Sequence, residues 1–81
     1  MKVTDFIGVK AKYDEDGQFI WGIGKDGGYQ KLVDLRAWGA IQNLFINEDE
    51  TIDLDAAAYF QDELGRWIVE AINEKLERKS P

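Results

Sequence analysis

From Ala57 to Ile72 apolar side chains recur at spacings of three and four: Ala57, Phe60, Leu64, Trp67, Ile68, Ala71 and Ile72. That spacing marks one face of an amphipathic α-helix. In a chain of 81 residues this helix claims a large share of the polymer, so the segments before it must cover its stripe. The length allows one domain over residues 1–81, and no internal repeat or low-complexity linker divides it. Asp55 is expected to cap the helix, with Asp53 as the rival. With Asp55 as cap, Leu54 and Tyr59 occupy the hydrophobic-staple positions. Lys75, Arg78 and Lys79 fall in the last turns, where positive charge suits the helix dipole, and Ser80-Pro81 ends the helix. Two residues interrupt the stripe. Gln61 must be either a buried, hydrogen-bonded amide or the edge of a functional site. Gly65 costs about 1 kcal/mol against alanine in a helix, which is understandable if a strand or a large ring, such as Trp21 or Trp38, approaches there.

The remainder reads as sheet. Val3 to Tyr13 alternates, with Val3, Ile7, Val9, Ala11 and Tyr13 on one face; Asp5 is the exception on it, and Phe6 and Gly8 are exceptions on the other. Asp14-Glu15-Asp16-Gly17 is a turn, and Gln18 to Gly24 follows as a second strand with Phe19, Trp21 and Ile23 on one side. Lys25-Asp26-Gly27-Gly28 turns the chain again. From Tyr29 the strand and helix templates both fit. A third strand to about Arg36 is favoured, with Trp38-Gly39 as a bend or bulge; Ala40 to Ile46 either continues the sheet or forms a short helix. The expected fold class is α+β: an antiparallel three-stranded β-meander covered on one face by a long C-terminal helix. A hairpin followed by two helices is the runner-up. The sheet is expected to present Val3, Ile7, Val9, Phe19, Trp21, Ile23, Val33 and Leu35 to the helix. One helix leaves the other sheet face open. If Phe6, Ile20 and Leu32 point there, they form an apolar patch that needs a partner.

Composition narrows the chemistry. The chain has no Cys and no His. It therefore lacks a thiolate nucleophile, Cys-ligated zinc, the commonest metal ligand and the usual general base near neutrality. Gly22-Ile23-Gly24-Lys25-Asp26-Gly27 matches the spaced glycines of a dinucleotide-binding turn, but a strand rather than a helix is expected next, so a hairpin turn fits better. Asn47, Asp49, Thr51 and Asp53 alternate like the start of a calcium loop. The positions that should carry Gly and Glu hold Ile52 and Ala58, and a solvated loop leading into a helix cap is the better reading. No cofactor is expected.

The net charge is −6, and it is unevenly placed. Residues 1–31 balance at five bases and five acids; residues 32–63 carry one base and eight acids; residues 64–81 carry four bases and three acids. The acidity gathers around the Asn47–Asp55 loop and the start of the helix, where the dipole favours it. That leaves a local acidic pole and weakens a second reading, an acidic decoy that blocks a nucleic-acid-binding protein. A third is a small-ligand binder or enzyme with a pocket near Gln61, Arg36 and Trp38. The leading expectation is a non-enzymatic protein-interaction module, a homodimer through the uncovered sheet face or a strand edge. Its candidate interaction residues are Trp21, Tyr29, Arg36, Trp38 and Phe45. The expected partner is another protein or a second copy; no nucleic acid and no membrane are expected. The first residues lack the regions of a signal peptide, so the cytoplasm is the expected location.

Overall fold

The computed structural model describes residues 1–78. Its elements run α1 (Val3–Ile7), β1 (Lys10–Asp14), β2 (Phe19–Ile23), β3 (Tyr29–Asp34), a 3₁₀ turn (Leu35–Ala37), α2 (Gly39–Asn43) and α3 (Leu54–Arg78). The strands form an antiparallel meander in the order β1-β2-β3, and α3 packs across it. The α+β expectation therefore holds. The expected end at Ser80-Pro81 lies outside the described residues.

The N-terminal segment departs from the expected strand. Val3–Ile7 is a helical turn, not the first half of β1. The Lys2 backbone N–H donates to Asp5 Oδ2 at 2.9 Å, so Asp5, the residue that broke the alternation, closes the start of the helix. Gly8 ends it at φ +89, a conformation that costs a side chain dearly, and its N–H bonds the Thr4 carbonyl.

The strands sit close to their expected places, but the sheet is covered on the opposite side of β2. Ala11 pairs with Gly22 and Tyr13 with Ile20. Directly opposed residues share a face, so Ile20 and Gly22 join Ala11 and Tyr13 beneath α3. Phe19, Trp21 and Ile23 consequently point away from it. Ile20, expected on the open face, is completely buried, and Leu32 packs against the same core. Phe6 belongs to α1 and remains 42% exposed. Val3 and Val9 are exposed as well, while Leu35 is buried as expected. The register shifts between Ile20 and Trp21, where Ile20 faces Val33 and Trp21 faces Lys31. Leu32 is the extra residue of this bulge, so the irregularity falls there rather than at Trp38-Gly39. Trp38 instead links the 3₁₀ turn to α2, the short helix that was one of two options for Ala40–Ile46.

Helix α3 is capped by Asp53, whose Oδ1 accepts the Ala56 N–H at 3.1 Å; Asp55 lies two residues further on, inside the first turn. Leu54 and Tyr59 are both exposed and form no staple. The helix is rolled about its axis relative to its apolar stripe. Gly65, Gln61 and the polar flank carrying Asp62 and Asn73 meet the sheet, and Trp67, expected in the core, stands 71% exposed. Phe60, Leu64, Ile68 and Ile72 still pack around Ala11, Ile20, Leu35 and Ile41. The ring admitted by Gly65 is Tyr13, not Trp21 or Trp38.

Asn73 explains part of the roll. Its Oδ1 accepts the Ala11 N–H at 2.7 Å, and its Nδ2 donates to the Ala11 carbonyl at 2.9 Å. One side-chain amide thus occupies the free edge of β1 as a neighbouring strand would. Each bond contributes on the order of 1 kcal/mol. Asn73→Ala is expected to lower stability by about 1–2 kcal/mol in urea melts and to speed exchange of the Ala11 amide. An unchanged Ala11 exchange rate would contradict the edge role.

Candidate interaction face

Two clusters stand out, and their roles differ. The first is polar and lies between the β1–β2 turn and α3. Gln18, at φ +58, is buried at the end of that turn. Its Nε2 donates to the Ala58 carbonyl at 2.9 Å and to Asp62 Oδ1 at 3.1 Å. The Tyr13 hydroxyl donates to the same carboxylate oxygen. Arg36 donates to Gln18 Oε1 at 3.4 Å and to the Asp16 carbonyl at 2.8 Å. Gln61 is the buried amide of the two expected alternatives, donating to the Leu35 carbonyl at 3.2 Å. Among the described residues no buried side-chain nitrogen or oxygen lacks a partner. The cluster has the character of a satisfied polar clamp that holds turn, 3₁₀ segment and helix together.

The clamp makes stability pH-dependent at both ends. The Tyr13 hydroxyl, then the Gln18 amide and the nearby Arg66 and Arg36, hold the Asp62 carboxyl below the ordinary 3.8 despite its partial desolvation. The stability it contributes is complete above the unfolded carboxylate value and is lost as pH falls through its lowered native value. Burial, followed by the Asp62 bond and charge, pushes Tyr13 well above the ordinary 10.0. Its contribution is complete below the unfolded value and is lost as pH rises past it. Urea midpoints followed from pH 9 to 12 are expected to fall in the native protein and to fall less in Tyr13→Phe. Equal slopes would remove Tyr13 as the cause.

The second cluster lies on the sheet face turned away from α3. Cross-strand pairing lays it out in three rows: Lys10, Ile23 and Tyr29; Lys12, Trp21 and Lys31; Asp14, Phe19 and Asp34. Trp21 is the centre. Its ring makes edge contacts with Phe19, centroids 5.8 Å apart, and with Tyr29, centroids 6.1 Å apart. Lys31 Nζ sits 3.8 Å from the Phe19 centroid and 5.7 Å from that of Trp21. The Trp21 indole N–H points to Asp14 Oδ2 at 3.4 Å, and Asp34 Oδ1 accepts the Arg36 backbone N–H. Both carboxylates on this face are therefore engaged. Lys10, Lys12 and Lys31 are exposed, and the ion pairs found among the described residues, Arg66–Glu15 and Arg78–Glu74, involve none of them. A shallow hollow of about 650 Å³ opens beside Trp21, lined in part by Lys12, Asp14 and Tyr29.

Of the five expected interaction residues, Trp21 and Tyr29 come together here, and the other three do not join them. Arg36 belongs to the polar clamp. Trp38 is half exposed at the start of α2, and Phe45 packs on Phe60 with centroids 5.6 Å apart. Phe19 and Lys31 were not foreseen as part of the face. Their membership follows from strand parity with Trp21 once the register is known.

The remaining sequence motifs resolve structurally. The spaced glycines form a hairpin turn closed by Gly24 N–H to the Gly28 carbonyl at 2.8 Å, and Tyr29 then enters β3. In the acidic loop Asn47 donates to Thr51 Oγ1, and Thr51 donates to Asp49, which lowers the Asp49 carboxyl from its ordinary value. Among the described residues no group of three or more acidic side chains is placed to hold a metal ion. No described helix is long and apolar enough to cross a membrane.

No family model matches the chain, and no curated protein or solved structure is significantly similar to it.

Proposed function

We propose that the chain is a non-enzymatic protein-interaction module and that its docking surface is the open sheet face centred on Trp21. The observation that carries this is the contiguous Phe19–Trp21–Tyr29 cluster on the side of the sheet without a helix, with Tyr29 59% exposed. Aromatic side chains ringed by polar groups are the usual anchors of protein interfaces. The flanking lysines favour a partner surface that is apolar and acidic. The chain has neither His nor Cys, and its clamped carboxylate, Asp62, is spent on Tyr13 and Gln18. The ligand-pocket alternative loses its polar groups in the same way, since Gln61 and Arg36 are both committed to backbone carbonyls.

Photo-crosslinking tests the docking surface without presupposing the partner. Benzoylphenylalanine is placed at Tyr29 and, separately, at Trp67 on the outer side of α3, in cells expressing the protein. Defined adducts are expected from position 29 and not from position 67. Adducts from 67 with none from 29 would move the interaction to the helix.

A further inference from the structure

The geometry points to a second copy of this chain as the occupant of the open face, seated head to tail with its acidic, apolar pole against the lysine-flanked aromatics. The inference rests on the docking-face reading above and adds the partner to it. The complementary surface lies around the start of α3. Leu44, Ile46 and Leu54 are exposed there by 67%, 52% and 72%, and Tyr59, further round the helix, by 68%. Glu48, Glu50 and Asp55 lie between them in sequence, and neither ion pair found among the described residues reaches this stretch. The stretch from Asn47 to Asp55 carries Glu48, Asp49, Glu50, Asp53 and Asp55 and no base, whereas the sheet face sets Lys10, Lys12 and Lys31 against two carboxylates, Asp14 and Asp34. Both surfaces therefore offer apolar area, and the excess charge on the two is opposite in sign.

A symmetric alternative is disfavoured by the same layout. A two-fold pairing of this face with itself, centred on Trp21 and with its axis along or across the strands, sets Lys12 and Lys31 against lysines of the other copy. A single-stranded polyanion would find stacking rings and cations here, but few phosphates could be neutralised, and the chain's charge of −6 opposes the rest of the strand. The β1 edge is taken at Ala11 by Asn73, which removes that stretch from strand-to-strand pairing. A contact between two different surfaces of one chain does not close at two copies; it extends into rings or filaments. With long-range attraction between opposite charges, it weakens as salt screens them.

The test is complementation by charge reversal, followed by sedimentation velocity at low salt. Lys12→Glu with Lys31→Glu disables the face, and Glu48→Lys with Glu50→Lys disables the pole. Circular dichroism verifies folding, and Lys10→Glu with Lys12→Glu replaces the first pair if Lys31→Glu disturbs the sheet. The native chain is expected to gain mass with concentration past a dimer. Each double variant alone is expected to stay monomeric, and an equal mixture of the two is expected to assemble again, since native face meets native pole and reversed face meets reversed pole. A native chain that stays monomeric, or mass that stops at a dimer, overturns the head-to-tail partner; position-29 adducts with a different protein would leave the docking face standing. Association lost on reversing the face but kept on reversing the pole also overturns the partner alone. Association kept in both variants overturns partner and face together. Tight binding of a fluorescein-labelled oligo-dT at physiological salt, abolished by Lys12→Glu with Lys31→Glu, would transfer the face to nucleic acid.

Discussion

Gly65→Ala is expected to destabilise the protein, the reverse of what helix propensity predicts. In an open helix the exchange gains about 1 kcal/mol. Here a Cβ at position 65 overlaps Tyr13 Cε1 and lies 2.7 Å from Tyr13 Cδ1 and 2.8 Å from Leu35 Cδ1. Neither neighbour yields easily. The Tyr13 hydroxyl is tied to Asp62, and Leu35 is fully buried. Overpacking of this kind costs roughly 1–3 kcal/mol or more, so we expect a net loss of about 1–2 kcal/mol for alanine and failure to fold for valine. Urea denaturation measures it. A Gly65→Ala variant more stable than the native chain would show that α3 and β1 do not meet where the structure places them.

The largest single loss is expected at Ile20. Its side chain is fully buried among Ala11, Leu35 and Ile41, and truncation to alanine leaves a cavity worth about 2–5 kcal/mol. A domain of this size holds only about 4–12 kcal/mol in total. Ile20→Ala is therefore expected to be marginally folded at best. Trp21→Ala, one residue away and twice the size of change, is expected to cost much less. It removes edge contacts with Phe19 and Tyr29 worth roughly 1 kcal/mol together with the covered part of a partly buried ring that faces away from α3. The order of the two losses distinguishes the two possible sides of the sheet. Trp21→Ala exceeding Ile20→Ala in urea would put the aromatic cluster in the core.

That order is also where sequence reasoning went astray. Period two located β2 to within a residue and β1 in the second half of the expected first strand, and period 3.6 located α3, because regular spacing is a property of each element alone. Which side of a strand is covered is decided by its neighbour. Phe19, Trp21 and Ile23 outweigh Ile20 and Gly22 in hydrophobicity, yet Ala11 and Tyr13 pair with the latter. Gly22 earns its place by lacking a side chain: a Cβ there would overlap the Ile7 carbonyl of α1. α1 itself is five residues long, too short for periodicity to register, and its β-branched residues mimic a strand. Its trace in the sequence was the misplaced Asp5. On α3 the widest apolar stripe did not choose the buried face, because Gly65 and the amide of Asn73 draw a different side toward β1. Trp21 and Tyr29 were legible as candidate members of the aromatic face from residue type alone. Lys31 was not, since its place beside Phe19 depends on the bulge at Leu32.

The most direct test of the whole account is relaxation by a soluble gadolinium chelate, read on the aromatic and methyl protons across a concentration series. In dilute protein the rings of Trp21 and Tyr29 should be strongly broadened and the Ile20 methyls untouched, and the broadening of the rings should fade as concentration rises and the face becomes occupied. Broadening of Ile20 with silent aromatic rings, or rings equally accessible at every concentration, would contradict it.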